Sequence, residues 1–249
     1  MALQTARPTS PAEGIYMRED FFGNGLITTN NVGRNDWAFT AIESTGTFTY
    51  LTEVVPDRPF GGIRHLTNVG AGAGDALHML AVTSKFPASD KGGGFAFRFM
   101  YPAIADNVIA TNSFWIGVHT TRTATAPTDG ILVGSAEGVL TLRADSVDSA
   151  DAAVAFAAGS TLTSGTTAVL GVAHDIQVQW SGTNSAGGPA DVEAYCDGEP
   201  VASLVTGLAN DEAASPCILH WCTGTDTLEL DVHYFEYWQY MDYPTAADV

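Results

Sequence analysis

The sequence predicts an all-β fold of two stacked antiparallel sheets, and three observations carry that expectation. Short apolar runs recur along the chain, each closed by Gly, Pro, Asn or Asp, the pattern of strands and their turns. The stretch 174–199 alternates: His174, Ile176, Val178 and Trp180 share one face of a first strand, with Asp175, Gln177 and Gln179 on the other. Val192, Ala194 and Cys196 share one face of a second strand, with Asp191, Glu193 and Tyr195 opposite. Side chains alternate across a strand, so each of the two has one buried and one wet face. Third, no segment reads as a long helix, and strands without helices to cover them must cover one another, as in a jelly roll.

The elements follow in order. Residues 1–18, with Pro8, Pro11 and no period, read as an extended N-terminal arm, and 19–249 as one β-sandwich domain. After a turn-rich opening at 20–25, strands are expected at Trp37–Ile42, Thr47–Val54, Gly62–Val69 and Ala76–Val82. The last of these has helical propensity (ALHMLAVTSK), but its β-rich surroundings favour a strand. Gly94–Tyr101 is the clearest strand, with Phe95, Phe97, Phe99 and Tyr101 on one face. Ser113–Thr121, Gly130–Ser135 and Gly138–Ala144 extend the series, and a short strand is expected near Val154–Phe156 between loops. The hairpin at 174–199 ends in an Asp197-Gly198 turn leading into Glu199-Pro200-Val201. Cys217–Cys222 and Leu228–Tyr240 close the chain. No linker, charge block or repeat of roughly 20–50 residues divides it.

Composition limits the partners. Asp and Glu number 28 against 10 Lys and Arg, a formal charge of −18. That field repels phosphate backbones and anionic bilayers, so neither nucleic acid nor a membrane is expected as a partner. The polar, Pro-containing start MALQTARPTSPAEG has no signal-peptide apolar run, and synthesis in a cytoplasm without a cleaved segment is expected. The three cysteines, Cys196, Cys217 and Cys222, are too few for a disulfide framework and read as buried thiols. Cys217 and Cys222 lack clustered His partners for zinc. Asp191, Glu193, Asp197, Asp211 and Glu212 offer oxygens for calcium, but no compact Asp-x-Asp-x-Asp-Gly loop gathers them, and no metal or other cofactor is expected.

The succession SFWIGVHTT, DGILVGSAEGVLTLRAD, HDIQVQWSG, DVEAYCDGEPVAS and LELDVHYFEYWQY resembles the concanavalin A-like lectin/glucanase sandwich. In such domains a strand ending in Trp precedes one with an Asp-Gly turn, here Trp180 and Asp197-Gly198. A closing strand of the form Val-x-Tyr-Phe-x-x-Trp-Gln follows, here Val232, Tyr234, Phe235, Trp238 and Gln239. The resemblance covers roughly residues 20–240 and implies architecture more than activity.

The superfamily includes glycosidases, lectins and bacteriophage virion proteins. The laminarinase-like branch carries Glu-x-Asp-x-x-Glu, and a retaining mechanism needs two carboxyl groups about 5–5.5 Å apart. Glu229-Leu230-Asp231-Val232-His233 begins that way, but His233 stands where the second Glu belongs. Strand parity puts Glu236 on the opposite face, so no catalytic residue and no enzyme is expected. Neither a Gly-x-Ser-x-Gly elbow nor a P-loop occurs, and Gly70–Gly74 lacks the Lys of a phosphate cradle. The resemblance, the lost motif, the arm and the acidic, nearly Lys-free composition together suggest a bacteriophage virion protein, a capsid decoration or cement protein. It would bind the major capsid protein and its own copies, with a trimer suited to quasi-threefold positions, through arm residues such as Leu3, Arg7 and Tyr16. The alternative is a lectin-like head- or tail-fibre domain holding host glycans on Trp115, Tyr195, Phe235 and Tyr237, wherever these face solvent.

Overall fold

The computed structural model describes residues 14–21, 26–27, 37–42, 46–51, 61–67, 74–79, 84–85, 92–104, 107–119, 130–136, 139–146, 149–157, 169–181, 190–206, 213–224 and 227–240. The first strands are β1 (Gly14–Glu19), β2 (Leu26–Ile27), β3 (Trp37–Ile42), β4 (Thr47–Tyr50), β5 (Ile63–Leu66), β6 (Gly74–Met79), β7 (Ser84–Lys85) and β8 (Gly93–Met100). They are followed by β9 (Asn112–His119), β10 (Gly130–Ala136), β11 (Val139–Ser146), β12 (Ser149–Ala155), β13 (Ala173–Trp180) and β14 (Ala190–Cys196). The last three are β15 (Glu199–Thr206), β16 (Ala213–Cys222) and β17 (Glu229–Tyr240).

The strands form two antiparallel sheets, as expected. The larger runs β15-β14-β13-β8-β17-β5-β4-β2, with β1 also on β17; the smaller runs β12-β11-β10-β9-β16-β6-β3, with β7 on β16. Between them lies a core fed by the strand alternation: Phe95, Phe97 and Phe99 from β8, Ile176 and Val178 from β13, Phe114, Ile116 and Val118 from β9, all at most 1% exposed. Full burial of such a side chain contributes about 1.5–3 kcal/mol by transfer from water. Gly93 and Gly94 of β8 let two indoles lie across the strand: a Cβ on Gly93 would come within 2.7 Å of Trp180, and one on Gly94 within 2.2 Å of Trp238.

The interior also holds a polar link between the sheets. His220 of β16 donates from Nε2 to Asn112 Oδ1 at 2.7 Å, because the Asn112 amide nitrogen is itself donating to Asn107 Oδ1. That leaves His220 Nδ1 as the acceptor for His65 Nδ1 of β5 at 2.7 Å. Burial drives the His65 imidazole down to about 3 and His220 well below its ordinary value, so both are neutral.

Three expectations are corrected. The arm boundary at residue 18 falls inside a strand: Gly14–Glu19 pair with Tyr240–Phe235 of β17, while 1–13 lie outside the described residues. The short strand expected near 154–156 is part of the longer β12. Most important, strand parity does not run through β17. Asp231 and Val232 face Met100 and Phe99, but the next pair is Tyr234 with Arg98, so His233 is the extra residue of a bulge. Before it Leu230 and Val232 enter the core; after it Phe235 and Tyr237 do. Glu236 therefore shares the outer face with Asp231, contrary to the uninterrupted alternation.

Candidate functional site

The outer face of the larger sheet collects the polar side chains that the alternation turns away from the core. β13 contributes Asp175, Gln177 and Gln179, β8 contributes Arg98, and β17 beyond its bulge contributes Tyr234 and Glu236. A groove of about 310 Å³ runs here, lined by Ala96, Asp175, Gln177, Gln179, Tyr195 and Tyr234, with Gly198 at one end. Its floor is low because Ala96 has almost no side chain between taller neighbours.

Arg98, Arg64 and Arg18 on this face are each paired with carboxylates. Arg98 forks onto Asp175, donating from Nε to Oδ1 at 3.0 Å and from Nη2 to Oδ2. The Tyr234 hydroxyl donates to the same Asp175 Oδ1 at 3.0 Å. Arg64 of β5 forks onto Asp231 at 2.6 and 3.0 Å and approaches Glu229 at 2.9 Å. Arg18 of β1 bonds Glu236 at 2.6 Å and Asp20 at 2.8 Å, and its guanidinium lies 4.8 Å from the centre of the Tyr234 ring. Such forked bonds hold both partners in fixed orientation. Arg98 is raised above its ordinary value, first by its bond to Asp175. Burial, then the Asp175 charge, pushes the Tyr234 phenol far up, so it stays protonated and donates. Tyr195, whose hydroxyl donates to Glu193 at 2.6 Å, is raised chiefly by that bond.

The arrangement suits recognition of polar, uncharged groups: amides and hydroxyls from Gln177, Gln179 and Tyr234, with aromatic edges at Tyr195 and Tyr234. Glu229 and Asp231 both pair with Arg64, and Glu236 pairs with Arg18.

Of the residues expected to hold glycan, Tyr195 alone lines the groove. Phe235 is wholly buried and Tyr237 is 5% exposed, both inside the core between the sheets. Trp115 is buried on the far side of the smaller sheet, edge-on to Trp221 with ring centres 4.7 Å apart. Of the arm residues, Leu3 and Arg7 lie outside the described residues, and Tyr16 is exposed on β1 opposite Trp238. Asp191 and Glu193 stay on the outer face of β14 while Asp197 folds back to His174, so the described calcium candidates do not converge; Asp211 and Glu212 are outside the described residues. Sequence reasoning missed Tyr234, Arg98 and Arg64. Gln177 and Gln179 were on the expected wet face, and the alternation was signal enough to find them.

No family model and no curated protein matches the chain. Solved structures resemble it at low identity. An endo-β-1,4-glucuronan lyase from the fungus Trichoderma reesei superposes with a TM-score of 0.55 at 12% identity, covering 89% of this chain and 94% of the lyase. Peanut lectin gives 0.51 at 13% identity over 93% of this chain and all of the lectin. The receptor-binding domain of botulinum neurotoxin type G gives 0.52 at 10% identity over 93% of this chain, which spans 49% of that one. The fold is thus a lectin-type, concanavalin A-like β-sandwich, in agreement with the resemblance the sequence carried.

Proposed function

We propose that the protein is a carbohydrate-binding domain that holds a glycan chain in the groove on the outer face of its larger sheet. The observation that carries this is the groove itself, in which Gln177, Gln179, Tyr195 and Tyr234 converge around the locked Arg98–Asp175 pair. Sugar rings need flat apolar edges beside fixed donors and acceptors, and this face supplies both without a net buried charge. Binding is proposed rather than turnover because the carboxylates of β17 are engaged by arginines and the Tyr234 phenol remains protonated. Isothermal titration against a panel of neutral and uronic polysaccharides tests it, with product analysis on the same mixtures. Binding that Gln177→Ala and Tyr195→Ala both weaken is the expected result. Absence of binding across the panel, or cleavage products, would overturn it.

A second reading, capsid decoration in a virion, draws on Ile15 and Tyr16, 48% and 44% exposed where the chain emerges from residues 1–13. The shell protein and neighbouring copies of this chain are its proposed partners. Because 14–19 belong to the sheet, the deletion that tests it must stop at residue 13. Unchanged occupancy on purified heads would remove the arm from the mechanism.

A further inference from the structure

A second constellation of chemistry-bearing side chains lies at the end of the β13–β14 hairpin. Asp197 sits in the tight turn with φ +52° and Gly198 follows with φ +86°, the paired left-handed conformation of a two-residue hairpin turn. That geometry folds the Asp197 carboxylate back over the strand ends. Its Oδ1 accepts the Asp175 backbone N–H at 2.8 Å, and its Oδ2 lies 3.0 Å from His174 Nδ1. Cys196 Sγ is turned to the same point, 3.5 Å from Asp197 Oδ2 and 3.9 Å from His174 Nδ1. His174 is fully buried and Cys196 is 1% exposed.

We propose that His174, Cys196 and Asp197 form a binding site for a zinc-class divalent transition-metal ion, with a fourth position open to water. Bond lengths of about 2.0–2.1 Å to nitrogen and oxygen and 2.3 Å to sulfur put tetrahedral ligand atoms roughly 3.3–3.6 Å apart. The three separations here, 3.0, 3.5 and 3.9 Å, bracket that range, so side-chain shifts of a few tenths of an ångström would complete the triangle. One imidazole, one thiol and one carboxylate select a borderline metal over calcium or magnesium, which want oxygen alone. Strand alternation turns Cys196 into the core beside His174, so its sulfur reaches the same Asp197 carboxylate oxygen that His174 faces. The carboxylate is held from behind by the Asp175 N–H, as outer partners orient metal ligands. Its side chain is 20% exposed, which gives water access to the fourth position. His174 Nε2 is buried without a hydrogen-bond partner, so the ring is not braced on its far side, and affinity falls below that of a four-ligand structural zinc site. Binding converts the Cys196 thiol to thiolate with release of its proton to solvent, and His174 ligates through Nδ1 with its ring proton carried on Nε2.

The inference is independent of glycan binding and is tested without sugar. Chelator-treated full-length protein is titrated with Co²⁺, and the spectrum is followed for tetrahedral d–d bands and a thiolate-to-metal charge-transfer band. One ion per chain with both features is expected. Cys196→Ser should abolish the charge-transfer band, whereas Cys217→Ser and Cys222→Ser should keep it. Asp197→Asn, which retains an oxygen for the Asp175 N–H, should weaken Co²⁺ and Zn²⁺ about tenfold or more and decides the matter if Cys196→Ser does not fold. Weak binding without charge transfer, as an acidic surface alone would give, or charge transfer that survives Cys196→Ser, would overturn the proposal.

Discussion

The two sheets turn very different outer faces away from their shared core. On the larger sheet the outward side chains are Asp175, Gln177, Gln179, Arg98 and Tyr234, and they frame an open groove. On the smaller sheet the outward residues Trp115, Leu132, Cys217, Leu219 and Trp221 form a second apolar cluster no more than 7% exposed. Apart from the β17 bulge, both faces obey the same two-residue alternation. The smaller sheet is apolar on both sides, which is why CILHWC in β16 reads as a nearly continuous hydrophobic run. The larger sheet is dry on one side only, and its wet side is where recognition chemistry can reach a ligand. Burial on both faces serves stability, and the polar face is the one that carries the proposed glycan groove.

The two faces and the layer between them should respond differently to acid and to substitution, acid most strongly. The layer beneath both faces depends on neutral His65 and His220. Unfolded histidine titrates near 6.5, and His65 in the fold only near 3, so the unfolded chain binds more protons throughout that window. Stability is complete above about pH 6.5 and falls with acidification by about 1.4 kcal/mol per pH unit for His65 alone, with His220 adding in the same sense. Denaturant unfolding between pH 7 and pH 4 measures the slope, and His220→Gln should flatten it. Next, Leu219→Ala on the dry face should cost about 3 kcal/mol of stability while leaving glycan affinity intact. A loss of affinity in that variant would show that the two faces are not separate. Third, Arg64→Leu removes the forked partner of the fully buried Asp231 and should cost about 3 kcal/mol, toward the low end for a broken pair because Arg64 is 29% exposed. Chemical denaturation checks it, and Arg64→Leu combined with Asp231→Leu should recover much of the loss. Smallest, Gln177→Ala on the wet face should weaken glycan binding by about 1 kcal/mol, roughly fivefold, with Tm unchanged.

Much of the fold was legible because period-two alternation is a strong local signal. Trp37–Ile42 matches β3 residue for residue, and the phenylalanines of β8 face inward as expected. The misses have physical causes. GIYMRE has no clean period and follows a proline-rich start, so β1 was absorbed into the arm; its partner strand is more than two hundred residues away, as Arg18–Glu236 shows. The bulge at His233 shifts the alternation by one residue, so the parity read for Glu236 was inverted. Phe235 and Tyr237 are chemically suitable platforms, and which aromatics become core depends on that same inversion. The His174–Cys196 side of the hairpin was visible in the alternation, but Asp197 was read as a turn former and a scattered calcium candidate, not as a partner of His174 and Cys196. Its backward-folded carboxylate is a consequence of left-handed backbone geometry that one sequence does not display.

The central place of β17 has a consequence for how this chain is made. It lies between β8 on one side and β5 and β1 on the other. Of the described strands it is also the last to leave a ribosome, so until it arrives the larger sheet stays in two halves with bare backbone edges. β1, β5 and β8 must wait for a partner synthesised far later, a topology of high contact order whose folding is slow and exposed to aggregation in the interval. A stop codon before Glu229 would remove the middle of the sheet rather than trim its margin, and the product should be insoluble rather than merely less stable.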